Sequence, residues 1–173
     1  MARVKIKPTG LTEDHYIALG MVTANWAALE SIVSSAIWQI GEIPDQIGIC
    51  LTSQIYTLDG KIKALVTLLS VRGNFGRTSA KLNNFHETLR GVSNERNRSI
   101  HDPWVGDELT GTPHRLQATA DKTLVFGHKP VPTSELYKLA RVIAKKIDEF
   151  QEIIGPAILR FPPLPLPDNS AEP

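Results

Sequence analysis

Glu95-Arg96-Asn97-Arg98-Ser99-Ile100-His101 is the stretch of this chain whose residue types and spacing can do chemistry. An arginine that keeps its charge and a histidine that titrates near neutrality suit phosphodiester cleavage. The guanidinium holds the phosphate and stabilises its developing charge, and the imidazole moves protons. Asn97 and His101 are four apart and share a helix face. Arg96 and His101 are five apart, about 140° around an ideal helix. They converge only if the last helical turn tightens or the chain bends at Asp102-Pro103. The helix end, with its unpaired carbonyls, and the neighbouring Asp102 both favour imidazolium at His101. From Arg72 to His101 six basic residues stand against two acidic ones, a local +4 that leaves −3 for the rest of a chain whose formal charge is +1. Positive charge is therefore concentrated around the motif, and Arg90 and Arg98 are expected to contact an anionic polymer beside it. Without such a ligand, Arg96 and His101 would cap carbonyls and bridge to Glu95 or Asp102.

Little else in the chain is reactive by type and spacing. There is no glycine-rich phosphate loop, no His-Glu-x-x-His and no Gly-x-Ser-x-Gly elbow. The histidines at 15, 86, 101, 114 and 128 lack metal-site spacing, so no metal and no cofactor is expected. His15 and His86 read as surface or capping residues, and His114 and His128 as solvated ones. The lone cysteine, Cys50, can form no internal disulfide, which fits a reducing compartment. No long apolar run suggests a signal peptide or a membrane span, so the reading is cytoplasmic.

Four segments carry apolar residues at alternating steps of three and four, the period of helices that face one another. The first runs Leu19, Val22, Trp26, Leu29, Val33, Ala36, Ile40, with Thr12 as its N-cap. The second runs Leu51, Ile55, Leu58, Ile62, Leu65, Leu69 and ends at Arg72-Gly73. The third runs Leu82, Phe85, Leu89, Val92, starts near Thr78 or Ser79 and stops at Asp102, because Pro103 disfavours helix in the residue before it. The fourth runs Leu136, Ala140, Ile143, Ile147, Phe150, Ile154 from Thr133 or Ser134. Extending the third stripe past Val92 brings Arg96 and Ser99 onto the core-facing side. An unpaired arginine there is costly unless an anion, a carboxylate or exposure relieves it. The expected fold is mainly α, an antiparallel four-helix bundle with a small β-hairpin-like insert between helices three and four. The chain reads as a single domain over 1–161 with the insert at 103–132, and a proline-rich tail at 162–173. In the insert, Leu116, Ala118 and Ala120, then Leu124 and Phe126, alternate with other residues around Asp121-Lys122.

Arg96-Asn97-Arg98-Ser99-Ile100-His101 resembles the signature of the HEPN superfamily (higher eukaryotes and prokaryotes nucleotide-binding): an arginine, a polar residue, and a histidine a few residues beyond, late in the third core helix. Asn25-Trp26-Ala27-Ala28-Leu29-Glu30 is similar to first helices of related bacterial proteins. The resemblance covers roughly residues 12 to 102 and 133 to 160, and the insert departs from the all-helical pattern. It implies a bundle that dimerises so that two motifs meet in one cleft, and metal-independent cleavage of single-stranded RNA by its own 2′-hydroxyl. Arg96 and His101 carry over as catalytic residues and Asn97 as their polar support. The expected function is an endoribonuclease of the toxin or phage-defence type acting as a homodimer, with an antitoxin protein as a possible partner. The alternative is a non-catalytic helical dimer that binds nucleic acid, nucleotide or a protein partner.

Overall fold

The computed structural model describes residues 7, 8, 10–73, 75–107, 110–121 and 123–161; the tail expected at 162–173 lies outside the described residues. The chain is mainly helical with a small antiparallel sheet. In order it runs β1 (Lys7–Pro8), α1 (Glu13–Gly41), α2 (Asp45–Thr52), α3 (Leu58–Arg72), α4 (Gly76–His101), β2 (Trp104–Gly106), β3 (Pro113–Asp121), β4 (Thr123–Pro130) and α5 (Thr133–Ile158). The sheet order is β1-β2-β3-β4, with β1 only two residues long.

Helix α1 starts where the sequence places it. Thr12 Oγ1 accepts from the His15 amide at 3.4 Å and lies 2.7 Å from His15 Nδ1. Its stripe, Val22, Trp26, Leu29, Val33, Ala36 and Ile40, is buried. α1 is long and apolar enough by length and composition to cross a membrane, a test that the core helix of a soluble protein also passes. Helix α5 likewise buries Leu136, Ala140, Ile143, Phe150 and Ile154.

The second segment is not one helix. Its apolar period reads through a break at 53–57, because steps of three and four span a gap as readily as they follow a helix. Thr57 decides the matter by capping α3, accepting from Gly60 N at 3.0 Å. Leu51, expected in the core, is instead 54% exposed on α2. The C-terminus agrees with expectation, since α3 ends at Arg72 and Gly73 takes a positive φ of 73°. α4 begins two residues before the expected caps, and Ser79 N already donates to Phe75 O at 2.9 Å inside the first turn. The hairpin forms within the expected insert, but its face is the reverse of the simple one. Leu124 and Phe126 are 77% and 67% exposed, while Arg115 on β3 is 1% exposed.

Two compact units divide the chain: Met1–Trp26 with Arg90–Ala144, and Ala27–Leu89 with Lys145–Pro173. In the first, Ala18, Val131 and Leu136 form a small core with Leu19, Trp104 and Tyr137 against it. His15, read as a surface or capping residue, is buried against the Thr12 cap rather than at the surface. Its Nε2 donates to Val131 O at 3.2 Å, while Nδ1 lies beside the Thr12 hydroxyl. Gly10, at φ 42°, crosses Gly106 so closely that a Cβ on Gly10 would stand 2.3 Å from Gly106 Cα. In the second unit Phe85 packs on Phe150 at 5.8 Å between ring centroids, within a core that includes Ile62, Leu65, Leu69 and Leu82. There Arg72 closes the α1 end by donating to Ile40 O at 2.8 Å and pairing with Glu42 at 3.1 Å. His86 joins Asp59 at 2.6 Å.

Candidate functional site

The candidate site is the last part of α4, in the first unit. The helix stays regular to its end: Asp102 N donates to Arg98 O at 3.0 Å, the ordinary four-residue step, before Pro103 stops it. The last turn therefore does not tighten, and Arg96 and His101 remain about 140° apart around the helix. They make no hydrogen bond with each other among the described residues. The structure does bring Arg96 and Asn97 together, with Arg96 Nη1 donating to Asn97 Oδ1 at 2.9 Å.

Arg96 sits where the stripe register places it. It is half-buried, and its Cζ lies 5.4 Å from the centroid of the Trp26 ring, itself a core side chain. Its Nε is buried and has no hydrogen-bond partner. Among the described residues no carboxylate lies within ion-pair distance of this guanidinium. Stacking on the Trp26 face is attractive for a cation, but it neutralises nothing. The opposite side of the helix is wholly polar. Arg90, Asn94, Asn97 and His101 recur at helical spacing and all are exposed, and Arg98 is half-buried beside them. Because Asn97 Oδ1 is taken by Arg96, its amide presents the Nδ2 donors outward. Arg96, Asn97 and Arg98 thus form a cluster of donors.

The acidic residues of this helix end are committed elsewhere, to a residue the sequence reading missed. Arg115, from β3, reaches Glu95 Oε1 at 2.8 Å and Ser99 Oγ at 3.1 Å through Nη1, and its Nε faces Asp102 Oδ2 at 3.7 Å. Ser99 is buried on the stripe, as its register requires, and also donates to Glu95 O. Arg115 was missed because Arg96 and His101, on the same helix end as Glu95 and Asp102, were the partners that chain neighbourhood offered those acids. Arg98 makes no ion pair among the described residues. The bridge expected from Arg96 or His101 to these acids is therefore made by the sheet, which anchors the end of α4 to β3. Trp104 adds a second tie by donating from Nε1 to Ser99 O at 3.0 Å.

His128 is exposed as expected; His114 is half-buried with Nδ1 unpartnered. A groove of about 340 Å³ lies next to the site, lined by Glu95, Ser99, Lys129, Glu135, Lys138 and Leu139 among others, but neither Arg96 nor His101 enters it. No group of three His, Cys, Asp or Glu side chains among the described residues is placed to hold a metal ion. No family model, characterised protein or solved structure matches this chain.

Proposed function

We propose that the chain is a HEPN-like endoribonuclease of the toxin or phage-defence type that cuts single-stranded RNA without a metal ion. The observation that carries this reading is Arg96. A permanent cation stands on the core-facing side of α4, stacked on Trp26, steered by Asn97 and given no carboxylate, while Arg115 takes up Glu95 and Asp102. A half-buried guanidinium in that state is completed by an external anion, and a phosphodiester supplies one. On this reading α1, α3, α4 and α5 are the antiparallel four-helix bundle of a single cytoplasmic domain over 1–161. Arg90 and Arg98 track the RNA backbone, and an antitoxin protein is the natural partner.

The divergence of Arg96 and His101 gives the reading its stoichiometry. Because the two point about 140° apart on a regular helix, this reading pairs Arg96 of one copy with His101 of a second, in a homodimer. The RNA 2′-hydroxyl, already tethered beside the phosphorus, attacks it. The 5′-oxygen leaves, and the products are a 2′,3′-cyclic phosphate and a 5′-hydroxyl end. His101 moves a proton at the attacking or leaving oxygen, and Arg96 stabilises the phosphorane charge. Unpaired nucleotides reach the in-line geometry that this requires.

The same divergence favours a second reading, a non-catalytic dimer that binds nucleic acid, nucleotide or protein through the Arg96 cluster. One experiment separates the two. The full chain is incubated with single-stranded RNA in excess EDTA, alongside Arg96→Ala and His101→Ala. Expected are a 2′,3′-cyclic phosphate end, no cutting when the nucleotide 5′ of the scissile phosphate is 2′-deoxy, and loss of activity in both variants without unfolding. Cleavage of DNA or an absolute requirement for a divalent metal excludes this mechanism, and full RNA cleavage by either variant refutes the assignment of Arg96 and His101 as its site. Binding without cleavage that Arg96→Ala abolishes selects the second reading.

A further inference from the structure

The hairpin presents an unguarded strand edge. β4 ends the sheet order β1-β2-β3-β4, so one of its edges pairs with β3, from His114 opposite Pro130 to Asp121 opposite Thr123. No described strand pairs with its other edge. Its outward row is apolar: Leu124 and Phe126 are 77% and 67% exposed, and the rings of Phe126 and exposed His128 meet edge to face at 6.2 Å. Natural sheet edges are usually protected by lysine, proline or a bulge. Between Leu124 and His128 there is no proline and no Lys, Arg, Asp or Glu. Lys129 is engaged with Glu135 at 3.3 Å, and proline appears only at the end of the strand, as Pro130.

We propose that this edge of β4 pairs antiparallel with the same edge of a second copy of the chain, about a two-fold axis. The free edge offers backbone donors and acceptors and an apolar row, with no charge by which to select an acidic or basic peptide. An inverted copy of the same strand supplies the same features in complementary order. A two-fold centred on Phe126 sets Phe126 opposite its own copy, Leu124 opposite His128, and Lys129 opposite Thr123, so like charges never meet. Other exposed apolar residues, Tyr16, Ile17 and Met21 on α1 and Ile47, Ile49 and Leu51 on α2 with Tyr56 after it, lie on or next to helices and have no unpaired strand edge to satisfy. This inference goes beyond the proposed function rather than completing its site: with Phe126 on the axis, the two Lys129 positions, and the Arg115–Glu95 pairs beside them, stand six residues, roughly 20 Å, apart along the strands. It is read by mass and not by cleavage.

The experiment is sedimentation velocity on the full chain across a concentration series, with Leu124→Lys, Phe126→Lys and, as control, Ile47→Lys/Leu51→Lys. Expected are a dimer for the native chain and the α2 control. In each β4 variant the dissociation constant rises about tenfold or more, with the helical circular dichroism unchanged. Hydrogen exchange guards against misfolded variants: amides of 123–129 in the native chain should gain protection as concentration rises. A monomeric native chain, β4 variants that still dimerise, or concentration-independent exchange in 123–129 overturns the proposal. Cleavage is scored separately. A native dimer that loses association in the β4 variants but cuts no RNA upholds the interface and refutes the ribonuclease reading.

Discussion

Arg115→Ala tests whether the end of α4 is held by the sheet. The side chain is 1% exposed, and it donates to Glu95 at 2.8 Å and to Ser99 at 3.1 Å. Removing one member of a buried ion pair costs about 3–5 kcal/mol, chiefly because the partner charge is stranded. Here the stranded groups are not fully buried: the Glu95 and Asp102 side chains are 41% and 27% exposed and can recover water. Asp102, at 3.7 Å from Nε, is also too far to accept a hydrogen bond. Both points argue for the low end, about 3 kcal/mol. For a chain of this size that corresponds to a fall in Tm of about 6–12 °C. Urea unfolding at neutral pH measures it directly. Glu95→Gln keeps a carbonyl acceptor and should cost about 1 kcal/mol. The double variant should then show a coupling of about 1–2 kcal/mol. A loss below about 1 kcal/mol for Arg115→Ala, or strict additivity with Glu95→Gln, refutes the view that this pair fixes the helix end.

Three further outcomes are expected. Gly10→Ala should destabilise by about 2 kcal/mol or more, since its φ is 42° and a Cβ would meet the Gly106 backbone at 2.3 Å; unchanged thermal unfolding would contradict the close crossing. Leu89→Ala, which empties a side chain 3% exposed, should cost about 2–5 kcal/mol in urea unfolding. Tyr137→Phe should change the pH dependence of stability. The Tyr137 hydroxyl donates to Asp14 Oδ1 at 2.6 Å, which with the Thr133 hydroxyl holds the Asp14 carboxyl below its ordinary range, while Asp14 pushes the Tyr137 hydroxyl above its own. The Asp14 contribution is present above the ordinary carboxylate pKa and lost as pH falls through the lowered value; that of Tyr137 is present below the ordinary phenol pKa and lost as pH rises through the raised value. The stability gap between native and variant chains should therefore be widest between about pH 5 and 9 and shrink on both sides. A gap that ignores pH rules out the linkage.

How much of this fold could be read from the sequence depended on whether one signal acted alone. α1 and α5 have a single uninterrupted stripe, and burial follows it from Val22 to Ile40 and, with Ile147 half-buried, from Leu136 to Ile154. Between Leu51 and Leu69 two signals competed. The apolar spacing favoured one helix, and the Thr57 cap with Asp59 in the following turn favoured a restart; the cap prevailed. The hairpin shows the opposite limit. Alternation reveals a strand but not which face is inward, and β3 buries Arg115 because a charged helix end awaits it.

The candidate site was legible for the same reason as the core. Arg96 was identified by continuing the Leu89–Val92 stripe, and it is half-buried on that side against Trp26. What local sequence could not supply was the distribution of partners. Within five residues of Arg96 stand one glutamate and, just beyond, one aspartate, and chain neighbourhood alone would assign one of them to Arg96. A β3 arginine nineteen residues further on reaches both and competes successfully, because its guanidinium is desolvated and theirs is the available negative charge. On the proposed reading, anion binding at Arg96 is therefore a property of the tertiary fold. In Arg115→Ala the freed carboxylates of Glu95 and Asp102 lie beside the donor cluster, so RNA affinity should fall by more than the loss of one remote positive charge predicts, and Arg115→Ala/Glu95→Gln should recover part of it. Filter binding at two salt concentrations distinguishes this from general screening, since losing one distant cation would lower the salt slope by no more than about one. Equal affinities for the single and double variants would show that Arg115 does not shield Arg96.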